Sequence, residues 1–210
     1  MPMLRHTIQY RRKDFIEDRY RDCLGANCLL LLRTGMYYLE KIFTQAKITM
    51  LKTPSFFNWS GGKDAALALH KALLSGKYDI QYLLTSFNSV HNRVSMHGVR
   101  RSLTEAQAAA IGLPLITVEL SEDPSMEEYE TKMREALTVL RDKGCYTSIY
   151  GDIFLEDLRT YREEKLKSGG LECVFPLWKT DTAVLIKEFV DTGFKAVIAC
   201  VNAAFLDKNF

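Results

Sequence analysis

Phe56-Phe57-Asn58-Trp59-Ser60-Gly61-Gly62-Lys63-Asp64-Ala65 is the stretch on which the fold turns. Aromatic residues at three of its first four positions give a short, apolar, strand-like run. Ser-Gly-Gly-Lys-Asp comes next, and an Ala- and Leu-rich helical pattern follows without a gap. The first turn of a helix has backbone N–H groups with no partner inside the helix, and it carries the positive end of the helix dipole. Two glycines let an anion reach that backbone with no Cβ in the way. Lys63 adds a mobile point charge suited to phosphate. The stretch predicts a polyphosphate cradle at the end of a strand.

Outward from this cradle the pattern alternates. Strands are expected at 56–59, 80–86, 115–119, 146–150 and 194–201. Helices are expected at 64–75, from a capping box at Ser102 and Glu105 to Gly112, from a second box at Ser125 and Glu128 to about Lys143, at 155–168 and at 182–192. Strands alternating with helices of this length imply a parallel sheet covered on both faces, an open doubly wound α/β domain. Ligands of such sheets bind outside the C-terminal ends of the strands. That edge gathers three loops: 60–64, 87–100 and 151–159.

Composition narrows the function. Hydrophobic residues at 47% and charged residues at 26% suit one soluble globular domain of 210 residues. Residues 1–49 hold 9 Lys+Arg and 5 Asp+Glu, leaving 19 and 21 for the remainder. The basic excess therefore lies in the leader, and the body carries no footprint for nucleic acid. The leader is expected to be an extension ending near Met50, with a helix over 36–47 that docks on the domain as the alternative. No run reaches membrane-span length. Five cysteines, Cys23, Cys28, Cys145, Cys173 and Cys200, form no C-x-x-C pair, which argues against a zinc site or a disulfide framework and for a cytoplasmic protein.

The cradle lacks the spacing of a Walker A loop and of the dinucleotide fingerprint. S-G-G-K-D-A at 60–65 resembles the loop of the ATP pyrophosphatase superfamily, usually S-G-G-x-D-S, with Ala65 where serine is usual. In the second loop, Arg93, His97, Gly98 and Arg100 offer forks and a proton carrier for phosphate or carboxylate. In the third, Asp152 at a strand end is a candidate Mg²⁺ ligand. The charges after it, Glu156, Arg159, Arg162 and Glu163, also fit a solvated, salt-bridged helix surface.

Taken together, S-G-G-K-D-A, H-G-V-R at 97–100, E-A-Q-A-A-A-I-G-L-P-L at 105–115, G-D-I at 151–153, L-R-T-Y-R-E at 158–163, F-P-L-W at 175–178 and E-F-V-D-T-G-F-K-A-V-I at 188–198 resemble the ATP-binding domain of the diphthine–ammonia ligase (diphthamide synthetase) family, in its prokaryotic branch. The resemblance implies a Rossmann-like fold of the adenine nucleotide alpha hydrolase type over residues 50–210, with the family's C-terminal region missing. It implies an ATP-dependent ligase that adenylates a diphthine-like carboxylate and amidates it with free ammonia, releasing AMP and pyrophosphate. The acceptor would be a modified histidine on an elongation factor or a small molecule, with neither nucleic acid nor membrane as partner.

By the same resemblance Ser60, Gly61, Gly62, Lys63, Asp64, Gly151 and Asp152 bind the nucleotide. His97, Gly98, Arg100, Glu156 and Arg159 lie toward the acceptor. Lys63, Asp152 and His97 are the catalytic candidates, and Asp64 and Asp152 hold Mg²⁺. Two alternatives stay open: an ATP-binding module without turnover, and a tRNA-modifying sulfur transferase with the same loop.

Overall fold

Phe56 and Phe57 are neighbours in sequence, yet each is fully buried on a different face of one strand. That is the period of two of an extended chain with both faces covered. The strand is β1, Thr53–Asn58. It belongs to a computed structural model describing residues 52–95 and 97–198, so the expected leader helix and the boundary at Met50 lie outside the described residues.

After β1 come α1 (Lys63–Leu74), β2 (Tyr78–Asn88), β3 (Arg93–Val94), α2 (Arg101–Ile111), β4 (Leu115–Leu120), α3 (Met126–Asp142), β5 (Thr147–Ile149), α4 (Glu156–Ser168), β6 (Glu172–Val174) and α5 (Thr182–Asp191). Five strands run parallel in the order β4-β2-β1-β5-β6. Leu67, Leu69, Ala108, Ile111, Leu185 and Phe189 bring α1, α2 and α5 onto the face of Phe57 and Leu83. Ala136, Leu140 and Leu166 bring α3 and α4 onto the face of Phe56 and Leu84. The sheet is wound on both sides, as the alternation predicted.

It is not wholly parallel. β1 ends at Asn58, opposite Leu84, while β2 continues to Asn88. The exposed edge of β2 is taken by β3, which pairs antiparallel through Phe87 with Val94 and Asn88 with Arg93. Asn92, with φ 51°, makes the reversal.

Other expectations need correction. No capping box opens α2: the helix starts at Arg101 with no side-chain cap, and Ser102 and Glu105 lie inside its first turns. Arg101 fixes that start by pairing with Glu119 and lying 4.3 Å from the Phe87 ring centroid. The box at α3 is half formed. Ser125 Oγ accepts from the Glu128 N–H at 3.1 Å, but the Glu128 carboxylate turns to the Ser121 N–H and hydroxyl. Residues 194–198 form no strand, and the rest of the expected strand at 194–201 lies outside the described residues. Phe194 instead stacks on Phe189 and meets His70 edge-on at 5.5 Å. His70, on α1, is partly buried, and that burial lowers its pKa.

Gly151, just beyond β5, backs onto the first turn of α1. A Cβ there would sit 3.0 Å from both Ala65 Cα and Ala65 N. Backbone cannot give way as a flexible side chain can. Gly151→Ala is therefore expected to destabilise the protein by about 1–3 kcal/mol, read from the urea unfolding midpoint.

Candidate functional site

β1 and β5 lie side by side but lead in opposite directions. β1 passes on to β2 and β4, and β5 to β6. A crevice opens at such a reversal of strand order. Asn58 stitches the two strand ends together, its side-chain amide donating to Ser148 Oγ at 2.8 Å and to the Ile149 carbonyl at 3.1 Å.

The loop leaving β1 is held at three points. The Trp59 N–H donates to the Leu84 carbonyl at 2.8 Å, and Thr85 Oγ1 donates to the Trp59 carbonyl at 2.5 Å. Gln107, on α2 and only 5% exposed, accepts from the Trp59 indole N–H and donates to the Gly61 carbonyl, each at 3.3 Å. The two glycines then differ in kind. Gly61 has φ +77°, and a Cβ on it would lie 2.7 Å from Gln107 Oε1. Gly62 has φ −88° and ψ 169°, open to any residue, and a Cβ on it would meet only Ser60 Oγ at 3.5 Å. The fold requires Gly61, whereas nothing in the described fold requires Gly62.

Gly62 begins α1 without a side-chain cap. Ser125 and Asp181 close the starts of α3 and α5 with their side chains. At α1, as at α2 and α4, no side chain caps the first turn. The Gly62 N–H donates to Ser60 Oγ at 3.4 Å. The N–H groups that follow it are without a side-chain partner and can receive an anion, with the helix dipole adding to the attraction.

A cavity of about 1130 Å³ opens in front of this turn. Ser60, Gly62, Lys63 and Asp64 line one part of it, Tyr150, Gly151, Asp152 and Arg162 another, and Thr85 and His97 a third. It continues past Met133 and Leu137 between α3 and α4. There Glu130 accepts from Tyr161 at 3.1 Å and pairs with Lys165 at 2.7 Å. Leu155, also on the lining, has φ +78°, a conformation uncommon for a branched side chain.

The charges at the loop end come in pairs. Lys63 Nζ lies 2.6 Å from Asp64, and Arg162 pairs with Asp152. The Arg162 guanidinium lies 4.2 Å from the Tyr150 ring centroid, and Tyr150 stacks on Phe175 at 5.4 Å. Burial pushes the Tyr150 phenol far above its ordinary range. Burial and the hydrogen bond to Glu130 push Tyr161 up to about 12. Neither phenol loses its proton near neutral pH.

Seven of the expected residues thus meet at one cavity: Ser60, Gly62, Lys63, Asp64, Gly151, Asp152 and His97. Gly61 lies behind it, locked to Gln107. The other expected residues are not on its lining. Gly98 turns the chain at φ +62° and accepts from Arg93 at 2.6 Å. Arg100 precedes α2 and is exposed. Glu156 pairs with Lys179 at 2.6 Å. Arg159 bonds Glu163 at 2.6 Å and lies over the rings of Phe175 and Trp178.

Sequence reasoning passed over Thr85, Gln107 and Tyr150, and it read Arg162 as one charge of a solvated helix surface rather than as part of the cavity lining. Their only local signal was membership of the strands and helices that flank the loops. Among the described residues no group of three or more His, Cys, Asp or Glu could hold a metal. Asp64 and Asp152 could still complete a Mg²⁺ shell with phosphate oxygens, since that ion needs few protein groups.

The family model described as diphthamide synthase N-terminal domain matches residues 54–173. Every residue lining the cavity falls within that span. No curated protein matches the chain.

The two glycines give a paired test. Gly61→Ala is expected to lose about 1–3 kcal/mol of stability in denaturant unfolding, from strained backbone and the clash with Gln107. Gly62→Ala is expected to stay within about 0.5 kcal/mol of the parent. It should nevertheless weaken pyrophosphate binding about tenfold, measured by calorimetry.

Proposed function

This chain belongs to the diphthamide synthase N-terminal domain family, and from that premise we propose that its cleft binds ATP and activates a carboxylate for amidation by ammonia. The carboxylate becomes an acyl adenylate with loss of pyrophosphate. Ammonia then takes the place of AMP at the acyl carbon, giving an amide. No side-chain nucleophile is needed.

The single observation that carries this reading is Gly62, a glycine the fold does not need, at the open start of α1 in the crevice between β1 and β5. The open N–H groups of that turn and Lys63 would hold the phosphates and stabilise charge on the departing pyrophosphate. Asp64 and Asp152 would take Mg²⁺ together with phosphate oxygens. When bound, that ion neutralises phosphate charge. His97, at the third part of the lining, is the proton carrier toward ammonia. The R-V-S-M-H-G-V-R loop favours the prokaryotic branch, and the acceptor is a diphthine-like carboxylate on an elongation factor or a small molecule.

A second reading, ATP binding without turnover, draws support from the pairing of both candidate metal carboxylates with cations. Sulfur transfer to tRNA has less support, since the sequence holds no C-x-x-C pair and residues 50–210 carry no basic excess. Burial pushes Cys173 up to about 11 and raises Cys145, so neither described thiol suits a persulfide.

Pyrophosphate release with ATP, Mg²⁺, ammonium and a panel of carboxylates tests the proposal, alongside ATP calorimetry. Lys63→Ala is expected to weaken ATP binding about tenfold or more with an unchanged unfolding midpoint. Absence of ATP binding by the parent chain would overturn both readings. Binding without pyrophosphate release would select the second.

A further inference from the structure

Arg162 stands on α4, whose charges fit a solvated surface when read in sequence, yet the structure turns it onto the cavity lining. Two contacts of different kinds hold it. One is the ion pair with Asp152, and the other is the ring of Tyr150, 4.2 Å from the guanidinium carbon. Tyr150 is itself fixed by burial and by its stack on Phe175. Arg162 and Asp152 are each about a quarter exposed. Asp152 directly follows Gly151, whose backbone abuts Ala65 in the first turn of α1. The pair therefore sits beside the open N–H groups and the similar pair of Lys63 with Asp64.

We infer that Arg162 is a phosphate-binding residue of this cleft, held by Asp152 until a metal-bound polyphosphate takes both partners, an inference that rests on the nucleotide reading above. A polyphosphate carrying a divalent cation offers anionic oxygens to the guanidinium and a positive ion to the carboxylate. Each charge exchanges one partner for another, so neither is left uncompensated in a partly buried site. The guanidinium fork matches phosphate oxygens two at a time, which an ammonium does not. The Tyr150 ring retains its attraction for the cation after Asp152 has turned away, so Arg162 stays aimed into the cavity. Lys63 and Arg162 would then grip the phosphates from two parts of the lining.

Calorimetry on the full chain with ATP, pyrophosphate and adenosine, each in Mg²⁺ and in EDTA, tests this. Unfolding midpoints are recorded for every variant. Arg162→Gln is expected to lose about tenfold or more in affinity for ATP and pyrophosphate while adenosine affinity holds, and Arg162→Lys should recover part of the loss. Asp152→Asn frees the guanidinium, so in EDTA it should bind pyrophosphate more tightly than the parent. In Mg²⁺ the order should reverse.

An equal loss for all three ligands in Arg162→Gln would assign Arg162 a structural role and overturn the inference. So would parent-like pyrophosphate affinity in EDTA for a folded Asp152→Asn. If the parent binds ATP and Lys63→Ala weakens it, an unchanged Arg162→Gln overturns the role of Arg162 alone. If the parent binds neither ATP nor pyrophosphate, the nucleotide reading falls as well.

Discussion

The Gln107 side chain reaches from α2 to both ends of the loop that leaves β1, and the shape of the site depends on that one buried amide. It accepts from the Trp59 indole and donates to the Gly61 carbonyl. With its carbonyl held there, Gly61 stays in the left-handed region, and the next residue returns to extended backbone at the start of α1. The open first turn of the helix is then presented to the crevice rather than to the protein interior. Loss of the Gln107 contact would leave buried polar groups without partners, which costs more than the hydrogen bonds themselves contribute.

Topology supplies the second half of the arrangement. Reversal of strand order between β1 and β5 leaves space beyond their ends, and Asn58 keeps those ends in register. Gly151 lets β5 leave the sheet against Ala65, so both edges of the crevice are built on backbone in contact. Ala65 stands where related loops usually carry serine, and it is buried at this junction. The charges there are arranged as two neutral pairs, Lys63 with Asp64 and Arg162 with Asp152. Polar, charged groups thus wait at a site whose N–H donors attract anions.

Much of this was legible in the sequence because it is local. Aromatic runs, helical spacing, and glycine at 112 as a left-handed helix stop all act within a few residues. The same holds for the glycine turn that joins β1 to α1 and for the Arg159–Glu163 pair at a spacing of four. What could not be read was tertiary. β3 and β6 have two and three residues, too few to show a period, and exist because β2 and β5 offer open edges. The box at Ser102 and Glu105 had the right letters, but Arg101 is anchored across the sheet by Glu119 and Phe87. Gln107 looked like one polar residue in an alanine-rich helix, and Arg162 like one charge among many.

Amide hydrogen exchange across residues 60–66, with and without ATP and Mg²⁺, bears most directly on the start of α1. ATP should slow exchange at Gly62, Lys63, Asp64 and Ala65, while adenosine should leave those amides unchanged. Equal exchange in the presence and absence of ATP, with nucleotide shown to be bound, would contradict phosphate capture by this turn.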